Sequence, residues 1–186
     1  LYTDWVGLLG FNQNFRANWG YEINLSAGKA KDQGVVYTSY EASFSSWFNV
    51  DPRWNANIWA GYSNTYNFAR DYLAFYSYAG FWFMWKPAPF LDLGTSFDTY
   101  MEGNPDGALE EITYNGRPEV TLSPFNDLRV RVYVDNVFVR STDRLESVIL
   151  GLLFSYNFLP KSWIYVAVNE VRNREEELDR AGNALP

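Results

Sequence analysis

The stretch FNVDPRWNANIWAGY, from Phe48 to Tyr62, indicates the fold class of this chain. Pro52 ends one aromatic-rich run, and the residues after it alternate between two kinds of position. One set is Trp54, Ala56, Ile58, Ala60 and Tyr62, and the other is Arg53, Asn55, Asn57, Trp59 and Gly61. A period of two predicts a β-strand with one apolar and one polar face. The apolar face must turn either to a protein core or to lipid.

The composition of the chain excludes several classes of function. The 186 residues are 19% aromatic, and aromatic side chains favour strands and membrane–water interfaces. The net charge of −7 argues against a nucleic-acid partner, which would require a basic surface. Because the chain has no Cys and no His, it cannot form a disulfide framework, a thiolate metal site or a Ser-His-Asp triad. We therefore expect no enzyme activity, no metal and no cofactor.

Turn signals repeat along the chain. Five short turns flanked by aromatic residues recur roughly every 35 residues, the length of two ten-residue strands with their connections. They are FRANWGY (15–21), FNVDPRW (48–54), WKPAPF (85–90), SPFNDL (123–128) and FLPKSW (158–163). Longer polar connections are expected between them at 28–34, 63–71, 102–118 and 139–144. Tight turns at one end and longer loops at the other are typical of outer-membrane barrels.

These features predict an all-β, antiparallel up-and-down transmembrane β-barrel, with about ten strands visible. Expected strand lengths of about ten to fifteen residues exceed the usual five or six of soluble proteins. The alternative is a soluble β-barrel or sandwich that binds an apolar or sugar ligand through its aromatic residues. The leading hypothesis is an integral outer-membrane protein of a diderm (Gram-negative) bacterium that acts as a pore, a translocation channel or a membrane anchor.

Strand parity predicts an incomplete barrel. If the tight turns face the periplasm, the first strand starts at the outer loop end and the last strand ends there. Complete bacterial barrels normally have both termini in the periplasm, so we expect about twelve or more strands, or partner subunits that close the barrel. Residues 1–171 are assigned to the strands and loops of the barrel, and residues 172–186 to a polar tail.

The segment LESVILGLLFSYNFLPKSWIYVAVNEVRNREEELDR (145–180) resembles the C-terminal end of one family of large bacterial outer-membrane proteins. In that family a periplasmic carbohydrate-binding-like domain precedes a barrel of unknown function. The matching positions of the late hairpin are Tyr156, Asn157, Phe158, Pro160, Trp163, Tyr165, Val166, Asn169 and Glu170. The resemblance implies a barrel in the bacterial outer membrane. The family's last strand and its periplasmic domain have no counterpart in this sequence, so the resemblance implies nothing about sugar binding.

Alternation also assigns faces to individual residues. Residues predicted to line the lumen are Glu41, Asn55, Asn57, Asp92, Asp98, Arg129, Arg131 and Asp135. Residues predicted to face lipid are Ile58, Val130, Val132, Leu150 and Leu152. An aromatic girdle at the membrane interface is predicted from Phe48, Trp54, Trp85, Phe90, Phe158 and Trp163. The lumen charges either set the ion preference of an aqueous path or pair with one another as hydrated charges.

Three further sets of residues each have a functional and a structural interpretation. The acidic loop EGNPDGALEE (102–111) offers oxygen ligands for Ca²⁺, but its spacing fits no EF-hand and favours a solvated loop. Tyr72, Tyr76, Tyr78 and Trp82 could stack on sugars, although barrel wall is the simpler interpretation. Asp92 and Asp98 lie roughly 20 Å apart along one strand, which is too far for two carboxylates to act on one bond.

Overall fold

The computed structural model describes residues 4–141, 144–159 and 162–173. Within these ranges the secondary structure consists of ten strands. They are β1 (Trp5–Phe15), β2 (Trp19–Asp32), β3 (Val35–Asp51), β4 (Trp54–Asn67), β5 (Tyr72–Ala88), β6 (Leu91–Gly103), β7 (Leu109–Phe125), β8 (Leu128–Val139), β9 (Arg144–Leu159) and β10 (Ser162–Asn173). The strands follow one another in a single antiparallel sheet, in the order β1 to β10. The predicted all-β class, the number of visible strands and the up-and-down order are confirmed.

The strand order leaves two edges. Within the described residues, β1 pairs only with β2, β10 pairs only with β9, and no pairing joins β1 to β10. β1 starts at Trp5 opposite Lys29, at the loop end, and β10 ends at Asn173 opposite Ser147, also at the loop end. Among the described residues, no helix has the length and apolar character needed to cross a membrane.

The chain forms two compact units. One contains Leu1–Phe81 with Asp98–Ile112, and the other contains Trp82–Phe97 with Thr113–Pro186. β1 to β4 therefore belong to the first unit, and β8 to β10 to the second. Arg172 and Asn173 continue β10, so this strand is two residues longer than predicted. The rest of the predicted tail, residues 174–186, lies outside the described residues, as does the predicted turn at Pro160 and Lys161.

Two of the tight turns share one construction. Asp51 pairs with Trp54 across Pro52 and Arg53, and Phe125 pairs with Leu128 across Asn126 and Asp127. In each case the pairing register shifts by one residue just before the turn, because the incoming strand carries a β-bulge. The same shift occurs where β9 meets β10. At the first tight turn the register is continuous up to the pair Phe15 and Trp19, so the bulge is not common to all members of the repeat.

Three of the four expected longer connections are wrong in extent, and the one predicted at 139–144 agrees with the structure to within one residue at each end. β2 and β3 are joined only by Gln33 and Gly34, whose positive φ angles of 45° and 90° form a tight hairpin turn. The next two connections span only residues 68–71 and 104–108. β8 ends at Val139 and β9 begins at Arg144, as the fourth prediction implied. Gly116 and Pro118 suggested a loop, yet β7 runs through both because β8 pairs with its flanking residues. The local turn propensity of Gly116 and Pro118 is therefore outweighed by the pairing of β7 with β8.

The sheet has almost no apolar core. Among the described residues, the only buried hydrophobic side chains are those of Ala74 and Ile112, and no large side chain is fully buried. The buried polar residues are Ser46, Asn64, Thr121 and Ser155. A packed soluble domain of this length would bury many Leu, Ile, Val and Phe side chains. In this sheet those residues are mostly exposed instead.

Candidate functional site

The polar face of β7 to β10 carries the richest set of charged and hydrogen-bonding side chains in the second unit. Backbone pairing aligns Glu119, Tyr133, Gly151 and Asn169 in one row across the four strands. The next row consists of Thr121, Arg131, Leu153 and Ala167. Residues opposite each other in an antiparallel pair share a face, so both rows project to the same side.

Asp135 and Arg117 form an ion pair on this face. An Arg117 Nη2 atom lies 2.9 Å from Asp135 Oδ2, and the guanidinium carbon lies 4.5 Å from the centre of the Tyr133 ring. The Asp135 side chain is half-buried, and its Oδ1 has no hydrogen-bond partner within the described part of the chain. Sequence reasoning missed Arg117, because residues 102–118 were expected to form a loop.

Arg131 lies beside this ion pair and has no partner of its own in the described ranges. It lines an open cavity of about 240 Å³ together with Glu119, Tyr133, Leu153, Ala167 and Asn169. The Tyr133 hydroxyl donates to Asn169 Oδ1 over 3.1 Å, which holds the asparagine side chain at the cavity wall. The predicted lumen residue Arg131 thus shares this cavity with Arg117, Glu119, Tyr133 and Asn169, which were not predicted, and Asp135 is connected to it only through its ion pair with Arg117.

Glycines on the polar face receive aromatic rings from neighbouring strands. A Cβ atom at Gly61 would overlap the Tyr78 ring, and one at Gly151 would overlap the Tyr133 ring. At Gly20 an added Cβ would overlap the Trp47 ring in the same way. Each ring therefore lies against the sheet in a notch left by the missing side chain. Tyr78 thus lies flat against the sheet. This position fits the barrel-wall interpretation of the aromatic set Tyr72, Tyr76, Tyr78 and Trp82 better than sugar stacking.

The remaining predicted lumen residues are spread over both units. In the first unit, Glu41 and Asn57 are exposed, Asp98 is half-buried, and Asn55 is half-buried with an Oδ1 atom that lacks a partner among the described residues. In the second unit, Asp92 is half-buried and Arg129 is exposed. A shared lumen for all eight residues stays a prediction.

The opposite face is apolar and open to the surroundings. Exposure is 40% for Ile58, 42% for Val132, 46% for Leu150 and 41% for Leu152, while Val130 is half-buried. In a soluble β-sandwich, such strand-centre positions would pack against a second sheet. Contact of these side chains with lipid stays a prediction.

Aromatic residues gather near the tight turns. The predicted girdle residues Trp85, Phe90, Phe158 and Trp163 are exposed, and Phe48 and Trp54 are half-buried. Phe15 stacks on Trp19 with ring centres 4.0 Å apart, and Trp19 stacks on Phe48 at 6.1 Å. Phe15 and Trp19 thus extend the predicted row, although the prediction omitted them. Their position beside the first tight turn was the available signal.

The connections at the other end of the first unit are tied together by charged groups. Arg70 contacts Glu110 at 2.9 Å and Glu102 at 3.6 Å, and Asn104 donates to Glu110 at 2.8 Å. The negative charge of Glu102 raises the pKa of the Arg70 guanidinium. Glu102 and Glu110, two acidic residues of the loop 102–111, are thus engaged in ion pairs or hydrogen bonds with Arg70 and Asn104. In the described ranges no group of three or more His, Cys, Asp or Glu side chains is placed to hold a metal ion.

Comparison of the chain with protein-family models, with curated proteins and with solved structures finds no match.

Proposed function

We propose that this chain forms part of the wall of a transmembrane β-barrel in the bacterial outer membrane, with its polar face lining a water-filled pore. The proposal includes membership of the barrel family that residues 145–180 resemble. The main supporting observation is that apolar side chains are exposed while several polar side chains are buried, which is the reverse of a soluble protein. Ile58, Val132 and Leu152 are exposed, whereas Ser46, Asn64 and Thr121 are buried. Lipid is the solvent in which such an exposed apolar face is stable.

The spacing of aromatic rows on the apolar face supports this assignment. Phe48 stacks in the row beside the tight turns, and Tyr40 and Tyr62 stack on each other at 6.1 Å nearer the loops. Eight residues separate Tyr40 from Phe48 on β3, a length of about 26 Å. A strand tilt of about 40° reduces this to about 20 Å of height, close to the ~25 Å apolar band of outer-membrane barrels.

The polar face favours a pore over a filled anchor. Tyr78 and Tyr133 lie against Gly61 and Gly151, so these rings follow the wall instead of projecting from it. Short side chains such as Ser26, Ser43 and Ser63 occupy neighbouring positions on β2, β3 and β4. A wall of this kind leaves room for water beside it.

Partners of this barrel are proposed on the basis of the sheet edges. The outer backbone groups of β1 and β10 are unpaired within the described ranges, and an unpaired edge is unfavourable in hydrocarbon. Further strands, either from other segments or from other subunits, would satisfy them and close the barrel. Membrane lipid is the partner of the apolar face.

A spin-label scan of β8 tests the membrane assignment. The chain has no Cys, so single cysteines can be introduced from Arg129 to Val134 and labelled after reconstitution into liposomes. We expect labels at Val130, Val132 and Val134 to be relaxed by oxygen, which partitions into lipid. Labels at the residues between them should be relaxed by a water-soluble nickel chelate.

The alternative, a soluble β-barrel or sandwich with an internal ligand, gives a different pattern. Its apolar positions would be shielded from both relaxing agents, and the chain would stay soluble without detergent. Either result would contradict the proposal.

Stepwise conductance in a planar bilayer separates a pore from an anchor. An anchor would show the alternating label pattern without conductance.

A further inference from the structure

The cavity on the polar face holds an arginine whose charge is not balanced. Arg117 is neutralised by Asp135 at 2.9 Å, but Arg131 makes no ion pair or hydrogen bond in the part of the chain that the structure describes. Its Nε–H group is enclosed without an acceptor. A guanidinium with unused donors is a strong binding group for carboxylates and phosphates.

Glu119 is the acidic residue that lines the cavity, and it makes no ion pair with Arg131. Its side chain lies over Gly94 on β6, where an added Cβ would be 2.7 Å from Glu119 Cγ and 2.9 Å from Oε1. Arg131 is on β8, the strand on the opposite side of β7. The missing side chain at Gly94 therefore allows Glu119 to lean towards β6 and leaves the arginine unpaired.

Other residues of the cavity complete a binding surface. Asn169 accepts from the Tyr133 hydroxyl through its oxygen, so its Nδ2 group retains its hydrogens for another acceptor. Leu153 and Ala167 stand in the same row as Arg131 and form an apolar wall beside the cationic group. Cationic and amide donors next to a short apolar surface match an organic acid better than an inorganic ion.

We infer that this cavity binds the carboxylate group of a small organic acid, with Arg131 as the charged donor and Asn169 as the amide donor. The inference rests on the proposed function, because the polar face must be in contact with water for the ligand to reach it. It identifies the class of solute that the pore wall recognises.

Butyrate titration of the full chain in detergent micelles tests the inference. The side-chain Nε–H signal of Arg131, assigned by its loss in Arg131→Gln, should shift saturably with butyrate and stay unchanged with butyramide, the uncharged analogue. Arg131→Gln should weaken butyrate binding by about tenfold or more, as expected for the loss of one charge-assisted contact. Arg129→Gln removes the same charge from an exposed position outside the cavity and should leave the affinity unchanged.

A second pair of variants examines the role of Gly94. Gly94→Ala should displace Glu119 from β6 and weaken butyrate binding several-fold, and Glu119→Gln in that background should restore it. Equal responses to butyrate and butyramide, or unchanged affinity in Arg131→Gln, would overturn the inference. If the β8 labels still alternate between lipid and water in that case, the membrane proposal stands and only the binding site is wrong.

Discussion

Individual polar residues on the apolar face are satisfied by the backbone. Asn64 is only 4% exposed; its Oδ1 accepts from the Tyr40 amide at 2.6 Å, and its Nδ2 donates to the Thr38 carbonyl at 2.8 Å. Ser46 similarly donates to the Gly20 carbonyl at 2.8 Å. Such bonds allow a polar side chain to remain on a face that is otherwise apolar.

Replacing Asn64 tests this arrangement at the residue scale. Asn64→Leu keeps the side-chain volume but leaves the Tyr40 amide and the Thr38 carbonyl unpaired. We expect it to lower the free energy of unfolding by about 1–3 kcal/mol for each lost partner, measured by urea unfolding of the folded protein in detergent or liposomes. Asn57→Leu, the same change at an exposed position, should alter stability by less than about 0.5 kcal/mol. Equal effects of the two changes would contradict the bridging role.

Elements of the sheet are joined at the tight-turn end by a repeated hydrogen bond. In each case the donor is a backbone amide near the end of one strand. The acceptor is a carbonyl in the turn that leads into the strand before it. The three examples are Asn49 to Asn18 at 2.9 Å, Ser123 to Phe90 at 2.8 Å and Asn157 to Asp127 at 2.7 Å. Each donor lies at or near a β-bulge that interrupts pairing with the following strand. For Asn49 and Asn157 the bond extends the ladder with the preceding strand by one residue into its turn.

Amide hydrogen exchange tests this link between elements. The amides of Asn49, Ser123 and Asn157 should exchange slowly, although they lie beside turns, because each is hydrogen-bonded to a neighbouring hairpin. The amides of Phe68 and Asp106, which donate to no group in the described ranges, serve as the fast-exchanging reference. Equal exchange rates for both sets, followed by NMR in deuterated buffer, would show that the turns are not linked in this way.

At the scale of the whole molecule, the two faces differ in the solvent that we propose for them. Ile58 and Asn57 are adjacent on β4 and both are exposed, but they lie on opposite faces. In a soluble protein, arginine would be tolerated at either exposed position. In a barrel wall, one position contacts lipid and the other contacts water.

This difference predicts unequal costs for the same substitution. Ile58→Arg should destabilise the protein folded in liposomes by about 2–4 kcal/mol, because it places a charge in hydrocarbon. Asn57→Arg should change stability by less than about 1 kcal/mol, since its side chain reaches the polar face. Urea unfolding from lipid vesicles gives both values. A larger cost for Asn57→Arg would place lipid on the other face.

The sequence by itself determined the elements of this fold. Strict alternation in residues such as Asn57 and Ile58, together with the recurring turns, predicted about ten antiparallel strands in sequential order, and that order is what the structure has. Alternation is a local property of extended backbone, so it can be read without knowledge of the strand partners. The same pattern predicted which residues share a face.

Only the tertiary structure decided where the strands end and which residues meet. Gly116 and Pro118 favour a loop locally, but pairing with β8 extends β7 through them. The contact of Arg117 with Asp135 depends on register between strands, and so does the position of Glu119 over Gly94. These features follow from distances between segments remote in sequence, which alternation along one strand does not contain.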